Sequence, residues 1–297
     1  MIAVPVPDET TRLSLPLRVG QPQPLRAVQH IRKMRGGSQA QLMRASDGAF
    51  YVVKFKSNPQ GIKILANEML ATRIGLHLGL PMPQVESIEV DDWLIMNTSD
   101  LRLELAGSVV PPSNGMQLGS RFVDDPWNTL IFDYLPEQLA HRISNLADFG
   151  RVIAFDKWVG NADGRQAIFT KAPRQRSFRA KFIDQGYCFN ACEWSFNDHA
   201  YHGVYNQNYV YQNVRGWESF EPTLSRVENI DQQDLWNCAR DIPTEWYDND
   251  SSALSRLIEQ LYHRKSMVRD LIVNFRDSTR APFPNWRQTT SHSRVCG

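Results

Sequence analysis

Membrane helices, disulfide scaffolds and strong net charge are all missing from this sequence. No apolar run approaches the roughly 20 residues that a membrane-spanning helix needs, which excludes a spanning protein. Four cysteines in 297 residues are too few and too scattered for a disulfide framework. Because 33 basic side chains balance 32 acidic ones, bulk charge gives no reason to bind nucleic acid or an acidic membrane. We therefore expect neither of these partners, and recognition by a local site.

The sequence predicts neither a secretory signal in its first residues nor a zinc site at its cysteines. Asp8, Glu9 and three early prolines interrupt any continuous apolar segment, so the sequence predicts a cytoplasmic protein. Cys188 and Cys192 have a spacing that could hold two metal ligands. No second pair follows at zinc-site spacing, so ordinary reduced thiols are favoured.

The remaining composition is that of a globular protein with enough apolar residues for a large core. Hydrophobic residues make up 42% of the chain, and no internal repeat indicates a solenoid or propeller. The domains that we predict are an N-terminal arm at 1–25, a small lobe with its connector at 26–122, a helical lobe at 123–280 and a C-terminal tail at 281–297.

Hydrophobic spacing predicts a mixed α+β fold with two lobes. Alternating residues and glycine turns predict strands at 25–32, 40–44, 49–56, 85–90 and 93–96, and helical spacing predicts a helix at 62–78. The chain from 97 to 126 is predicted to be irregular. Helices are expected at 139–158 and 252–275, and a short hairpin at 167–170 and 180–183. The small β-rich lobe thus holds one helix, and the larger lobe is mainly helical.

A lysine and a glutamate in the first lobe have the spacing of a phosphate-binding pair. Lys54 alternates with Val53 on an apolar strand, and Glu68 lies about two turns into the following helix. In phosphoryl transfer a lysine of this kind contacts the α- and β-phosphates of ATP, and a helix glutamate holds it in place. Lys56 has the same parity, so the assignment between the two lysines is open. An exposed lysine beside an unrelated glutamate is the alternative.

The turn between the first two strands, Arg35, Gly36, Gly37 and Ser38, is a candidate phosphate-binding loop. Glycine lets backbone N–H groups approach phosphate oxygens without obstruction by a Cβ. The turn matches neither a Walker nor a Rossmann motif, and a plain hairpin turn is the alternative.

Two aspartates in the second half fit phosphoryl transfer. That reaction needs one carboxylate to orient the attacking hydroxyl and another to hold Mg²⁺. Asp163 follows a helix in the motif Asn-x-Asp, and Asp184 ends an apolar strand in the motif Asp-x-Gly. Each alone is a common turn residue, but the pair in this order behind Lys54 and Glu68 is much less common.

Between about residues 29 and 186 the chain resembles the HipA-like kinases, which share the fold of protein kinases and phosphatidylinositol 3/4-kinases. The resemblance is strongest at 36–38, 51–55, 67–68, 119–122, 158–165 and 183–186. It implies a bilobal, Mg²⁺-dependent ATP phosphotransferase acting on serine or threonine of a protein.

The resemblance also implies residue roles. Lys54 is then the phosphate-contacting lysine and Glu68 its partner, while Asp163 is the catalytic aspartate and Asp184 the metal ligand. Gly119 and Ser120 would lie near the segment that joins the lobes and borders the adenine.

The chain departs from that family at Ile168. Kinases of this type place a metal-binding asparagine five residues after the catalytic aspartate, and isoleucine cannot coordinate a cation whose ligands are oxygens. Gln166 has a side-chain carbonyl and is a candidate replacement. Asp184 with fewer protein ligands, or a nucleotide-binding protein that no longer transfers phosphate, are the alternatives.

Two other features allow further interpretations. Residues 194–212 are rich in Asn, Tyr and His, and they indicate either a substrate platform or a packed irregular loop. The basic side chains Arg174, Arg176, Arg179 and Lys181 indicate a solvated hairpin tip, with a phosphate contact as the alternative. A non-enzymatic interaction module and a lipid or small-molecule kinase remain as competing functions.

Overall fold

The computed structural model describes residues 24–123 and 126–287. The strands in these residues are β1 (Ala27–Lys33), β2 (Gln41–Ala45), β3 (Phe50–Lys54), β4 (Val85–Val90), β5 (Leu103–Leu105), β6 (Ser108–Val110), β7 (Gly115–Arg121), β8 (Leu130–Phe132), β9 (Gln166–Lys171) and β10 (Arg179–Ile183). The α-helices are α1 (Lys63–His77), α2 (Asp92–Met96), α3 (Asp148–Val159), α4 (Thr223–Asn229), α5 (Gln232–Ala239), α6 (Ser251–Arg264) and α7 (Val268–Arg276).

A five-stranded antiparallel sheet in the order β1-β2-β3-β7-β4 forms the first part of the chain. The prediction that 97–126 is irregular is wrong, because this segment contains β7. In the sheet β7 lies between β3 and β4. The glycines and prolines of the segment mark the turns before the strand, and Leu118 of β7 is fully buried. The sheet therefore depends on a strand that local composition does not reveal.

Helix α1 crosses one face of this sheet and packs on β4 and β7. The bounds predicted for it, 62–78, agree with the structure to within one residue at each end. Its apolar side chains, including Leu65, Met69 and Ile74, are fully buried in the large core that continues into the helical part. The opposite face of the sheet has a separate small core that includes Tyr51 and Val53.

The predicted strand at 93–96 is wrong, because α2 occupies those residues. Asp91 caps the helix, and its side chain accepts a hydrogen bond from the backbone N–H of Leu94 at 2.8 Å. An aspartate in this position satisfies a backbone donor that the first helical turn leaves unpaired. The capping interaction outweighs the apolar run that suggested a strand.

The second sheet has the order β10-β9-β8, and the predicted hairpin of β9 and β10 is confirmed. One face of this sheet is buried against α3, where the ring of Phe149 contacts the rings of Phe169 and Phe182. The other face is turned away from α3. The helix predicted at 139–158 begins only at residue 148, after a 3₁₀ turn at Glu137–Arg142.

The long helix predicted at 252–275 is two helices, because a 3₁₀ turn at Lys265–Met267 separates α6 from α7. No helix in the described ranges is long and apolar enough to cross a membrane. The predicted N-terminal arm and C-terminal tail lie largely outside the described residues, and the lobe boundary near residue 122 stays a prediction.

Candidate active site

Lys54 lies at the end of β3 and joins two carboxylates from distant parts of the chain. Its ammonium forms an ion pair with Glu68 of α1 and donates a hydrogen bond of 2.9 Å to Asp184. Lys56, the other candidate lysine, instead forms an exposed ion pair with Glu245 at 3.2 Å. The structure thus brings Lys54, Glu68 and Asp184 together, and we call them the open triad.

Within the open triad, burial raises the pKa of Glu68, whereas the ion pairs favour the charged forms of Lys54 and Asp184. Burial disfavours the charged lysine, but the carboxylates of Glu68 and Asp184 outweigh it and raise the pKa of Lys54. Burial alone would raise the pKa of Asp184. The ammonium of Lys54 outweighs burial and lowers the pKa of that carboxyl below its ordinary value. A permanent positive charge therefore faces a permanent negative one at the end of β3.

Helix α1 is held in place by Asn67, which precedes Glu68. The Asn67 side chain is fully buried, and its amide nitrogen donates to the backbone oxygens of Gly186 at 2.9 Å and Ala191 at 2.8 Å. Its amide oxygen accepts a hydrogen bond of 2.6 Å from the indole N–H of Trp194. A side chain at position 186 would overlap Ile64 of α1, so the motif Asp-x-Gly needs glycine for this close approach. We call these contacts the α1 clamp.

Asp184 and Gln166 meet at the same end of the second sheet. Asp184 immediately follows β10 and has a left-handed backbone conformation, with φ of 62°. Gln166 begins β9, and its amide nitrogen donates to the second carboxylate oxygen of Asp184 at 3.0 Å. The side chain that sequence analysis named as a replacement for asparagine therefore contacts the predicted metal ligand.

Asp163 lies in the loop between α3 and β9, and its side chain is exposed. Its carboxylate accepts a hydrogen bond of 2.7 Å from the backbone N–H of Gly164. Its backbone is fixed from both sides, because Asn161 accepts from its N–H at 3.2 Å and Gly203 donates to its carbonyl at 2.8 Å. The loop is held by its backbone, and its carboxylate faces solvent.

A buried ion pair that the sequence does not predict supports this loop. Asp156 of α3 and Arg165 form a salt bridge in which both side chains are completely inaccessible. Arg165 also donates to the carbonyl of Ile183 at 3.0 Å and to the side chain of Gln185. This pair, which we call the sealed pair, connects the loop of Asp163 to the residues on both sides of Asp184. The available signal was an aspartate directly after the apolar residues 152–155 of α3.

The predicted phosphate loop is the turn between β1 and β2. Arg35, Gly36 and Gly37 are exposed, whereas Ser38 is buried. A Cβ at Gly37 would come within 3.3 Å of the side chain of Gln60, so the turn lies against the loop that follows β3. The structure places these residues at the end of the sheet that also carries Lys54, and their contact with phosphate stays a prediction.

Gly119 and Ser120 lie on opposite faces of β7. Ser120 pairs with Val52, which has the same parity as Lys54, so position 120 shares the face of Lys54. A side chain at Gly119 would instead approach Tyr51 and Ile88 at 3.2–3.3 Å on the other face. Of the two predicted nucleotide contacts, only Ser120 has its side chain on the face of the open triad.

Of the four tyrosines in segment 194–212, three are packed inside the protein and Tyr201 is exposed. Tyr205, Tyr209 and Tyr211 are buried, and the hydroxyl of Tyr209 donates to the carbonyl of Leu135 at 2.6 Å. These contacts favour the packed loop over the substrate platform. No cluster of three or more His, Cys, Asp or Glu side chains that could hold a metal occurs within 24–123 and 126–287.

Comparison with solved structures supports the fold. A structure of hydra Fam20 with sugar matches with a TM-score of 0.51 at 12% identity, over 90% of this chain and 88% of that one. The Helicobacter pylori proinflammatory kinase CtkA gives 0.47 at 13% identity, over 80% and 92% of the two chains. HipA of Shewanella oneidensis MR-1, in its complex with HipB and operator DNA, gives 0.47 at 11% identity, over 89% and 70%.

Sequence comparison adds the family. No curated protein matches the chain. The profile of the HipA-like kinases matches residues 28–271, which is most of the chain and includes every residue of the open triad and the sealed pair. The predicted α+β, protein-kinase-like fold is confirmed. The chain belongs to the HipA-like kinase family.

Proposed function

We propose that the chain is an ATP- and Mg²⁺-dependent phosphotransferase that transfers the γ-phosphate to a serine or threonine hydroxyl of a protein. One observation carries this proposal. The ammonium of Lys54 joins Glu68 of α1 to Asp184, a residue 130 positions further along the chain. A lysine held by a helix glutamate beside a metal-binding aspartate is the arrangement that phosphoryl transfer from ATP requires.

The nucleotide would lie between the two sheets. Lys54 would contact the α- and β-phosphates. The backbone N–H groups of Gly36, Gly37 and Ser38 would face the phosphates from the side of the first sheet. The adenine would lie against the segment that follows β7, beside Ser120. Charge on Lys54 supports this orientation, because its raised pKa keeps the ammonium protonated at neutral pH.

The residues at the end of the second sheet fit a magnesium ion. Mg²⁺ is usually held by one or two carboxylates together with water and substrate phosphates. Asp184 supplies the carboxylate, and Gln166 supplies a side-chain carbonyl after rotation of its amide group, since the two ends of an amide are interchangeable in such an assignment. When bound, the ion would neutralise charge on the β- and γ-phosphates.

Asp163 would orient the acceptor hydroxyl and take its proton. The oxygen of the acceptor forms a bond to the γ-phosphorus while the bond from that phosphorus to the β–γ bridging oxygen breaks, and ADP leaves. The exposed carboxylate supports this role, because a protein acceptor must reach it from solvent. Positioning and neutralisation of charge supply most of the reduction in the barrier.

Incubation with γ-labelled ATP and Mg²⁺ tests the proposal. Wild type and Asp163→Ala are compared for self-labelling and for labelling of proteins in a cell lysate. We expect label on serine or threonine for wild type and none for the variant, with equal ATP binding by both. Label on lipid or on a small molecule would redirect the acceptor class, and no label on any acceptor would contradict phosphoryl transfer.

A catalytically silent nucleotide-binding regulator is the second candidate, and Ile168 favours it. The isoleucine is half-buried on β9 and offers no oxygen to a metal. The same labelled reaction, run beside a thermal unfolding experiment, separates the two. A melting temperature raised by ATP without transfer of label would establish the silent regulator.

We also propose that the reaction takes place in the cytoplasm. Cys188, Cys192 and Cys238 are free thiols, which fits a reducing compartment. The expectation that the protein binds no nucleic acid stays a prediction, which an electrophoretic shift experiment would test.

A further inference from the structure

The pairing of β9 and β10 places Lys181 directly opposite Ile168. Residues opposite each other in an antiparallel pair project from the same face of the sheet, and every second residue shares that face. Gln166 therefore lies on the same face as Ile168 and Lys181, and it contacts Asp184 at 3.0 Å. This face belongs to the proposed nucleotide site.

The other face of the hairpin cannot serve the nucleotide. Ala167, Phe169, Ala180 and Phe182 alternate with the residues of the first face, and all four are buried. The rings of Phe169 and Phe182 pack against α3, as described above. Lys181, by contrast, is half-buried on the same face as Gln166, whose side chain contacts Asp184 of the open triad.

Lys181 is distinctive among the lysines of this protein. The sequence holds eight lysines, and all lie in the described ranges. Seven of them have a carboxylate, a carbonyl oxygen or an aromatic ring against the ammonium (Lys33, Lys54, Lys56, Lys63, Lys157, Lys171 and Lys265). Within the described part of the chain Lys181 has no such partner. A half-buried cation without an anion is a ready site for a ligand with negative charge.

The position opposite Lys181 is Ile168, where this chain departs from the pattern of the family. In related kinases a catalytic-loop asparagine binds a second Mg²⁺, and Ile168 cannot do so. An ammonium needs no protein ligands to bring a positive charge to phosphate oxygens. Ile168, which offers no oxygen ligand, thus lies directly opposite Lys181, which has no partner among the described residues.

We propose that Lys181 contacts the phosphates of the bound nucleotide and provides the positive charge that a second metal ion would bring. The site then operates with one divalent cation, held at Asp184. This inference rests on the proposed function, because it requires a nucleotide between the two sheets. In this inference Ile168 removes the oxygen ligand for a second metal ion, and Lys181 supplies the positive charge in its place.

Binding of a non-hydrolysable ATP analogue tests the inference without measuring activity. Lys181→Met and Lys171→Met are compared with wild type by titration calorimetry in the presence of Mn²⁺, and bound Mn²⁺ is counted by electron paramagnetic resonance. Lys171 is the matched control, because it lies on the same hairpin but on the other face, with its ammonium over Phe178. We expect one Mn²⁺ per nucleotide-bound wild-type chain, about tenfold weaker nucleotide binding by Lys181→Met, and no change for Lys171→Met.

Two further variants sharpen the experiment. Lys181→Arg keeps the charge and should retain most of the affinity, which guards against a misfolded methionine variant. The double variant Ile168→Asn/Lys181→Met restores an oxygen ligand in place of the charge. It should regain affinity only at millimolar Mn²⁺ and should bind two Mn²⁺ per chain.

The outcomes separate this inference from the proposed function. Absence of nucleotide binding by wild type would overturn both. Wild-type binding together with unchanged affinity of Lys181→Met would overturn the role of Lys181 and leave the proposed function standing. Two Mn²⁺ ions on the wild-type chain would also overturn it, because the lysine would then replace nothing.

Discussion

The open triad and the sealed pair are both buried clusters of charge, but they differ in access to solvent. In the sealed pair the side chains of Asp156 and Arg165 are 0% exposed, whereas in the open triad the side chain of Asp184 is 25% exposed. A charge that water reaches can exchange one partner for another. The sealed pair is therefore suited to maintaining geometry, while the partly exposed open triad has the access to solvent that the proposed function requires.

The distinction has an energetic basis. Burying two charges costs free energy that their attraction recovers only with good geometry and additional hydrogen bonds. Arg165 meets this condition, because it also donates to Ile183 and Gln185. Lys54 has two carboxylates for one ammonium, and the lowered pKa of Asp184 leaves this partly exposed carboxylate with capacity for a further cation.

The largest effect is expected at Asp163, which lies in neither cluster. Asp163→Asn removes the proton acceptor and should lower the rate of transfer by roughly 10²- to 10⁴-fold. Because the side chain is exposed, the melting temperature and the affinity for ATP should stay at wild-type values. Transfer rates and thermal unfolding measured on the same preparation check this, and a large loss of stability would contradict it.

Breaking the sealed pair should affect stability most. Arg165→Met leaves Asp156 buried without its partner, which costs about 3–5 kcal/mol of the free energy of unfolding. Denaturant titration measures it.

The matched control is Arg165→Met/Asp156→Leu, which removes both charges. It should regain most of the stability, since an apolar replacement of a buried pair is often neutral. Transfer activity should remain low in the double variant, because the loop of Asp163 has lost its connection to Ile183. Recovery of activity along with stability would show that the pair has no role in positioning.

The structure also explains how much of this site the sequence could reveal. Lys54, Glu68 and Asp184 each lie in a short local pattern that was enough to make them candidates, but only the folded chain separates Lys54 from Lys56, which pairs with Glu245. Asp156 and Arg165 are nine positions apart across a helix end, and only the folded chain shows that they meet. Their pairing is a tertiary contact with no local signature.

The same reasoning applies to the fold. The hairpin and α1 were predictable because their apolar residues follow one period throughout. Strand β7 was not, since its burial pattern shows three consecutive buried residues between two neighbouring strands. The division of 252–275 into two helices was hidden as well, because α6 and α7 share one continuous apolar stripe.

A smaller effect is expected for the α1 clamp. Asn67→Leu leaves the carbonyls of Gly186 and Ala191 and the indole of Trp194 without partners, which should cost about 2 kcal/mol of stability. ATP affinity should fall as well, because Glu68 moves with Asn67. Unfolding and ATP titrations check this, and full affinity in the variant would show that α1 holds its position without the clamp.

The smallest effect concerns acid. The pKa of Asp184 is lowered from its ordinary value of 3.8, so the folded state binds fewer protons at this site than the unfolded chain. Its contribution to stability is present above about pH 4 and is lost as the pH falls through the folded-state pKa. The free energy of unfolding of Asp184→Asn should fall less steeply in this range than that of wild type. Parallel slopes would contradict the prediction.

Asn67 and Glu68 are consecutive residues of α1, yet they bind different parts of the molecule. Glu68 holds the ammonium of Lys54, and Asn67 holds the chain that follows Asp184. Rotation of α1 away from the sheet would break both connections in a single event. The position of the chain after Asp184 and the position of the Lys54 ammonium are therefore connected through α1. A perturbation that loosens the segment after Asp184 would therefore disturb the ion pair between Lys54 and Glu68 without contacting either residue.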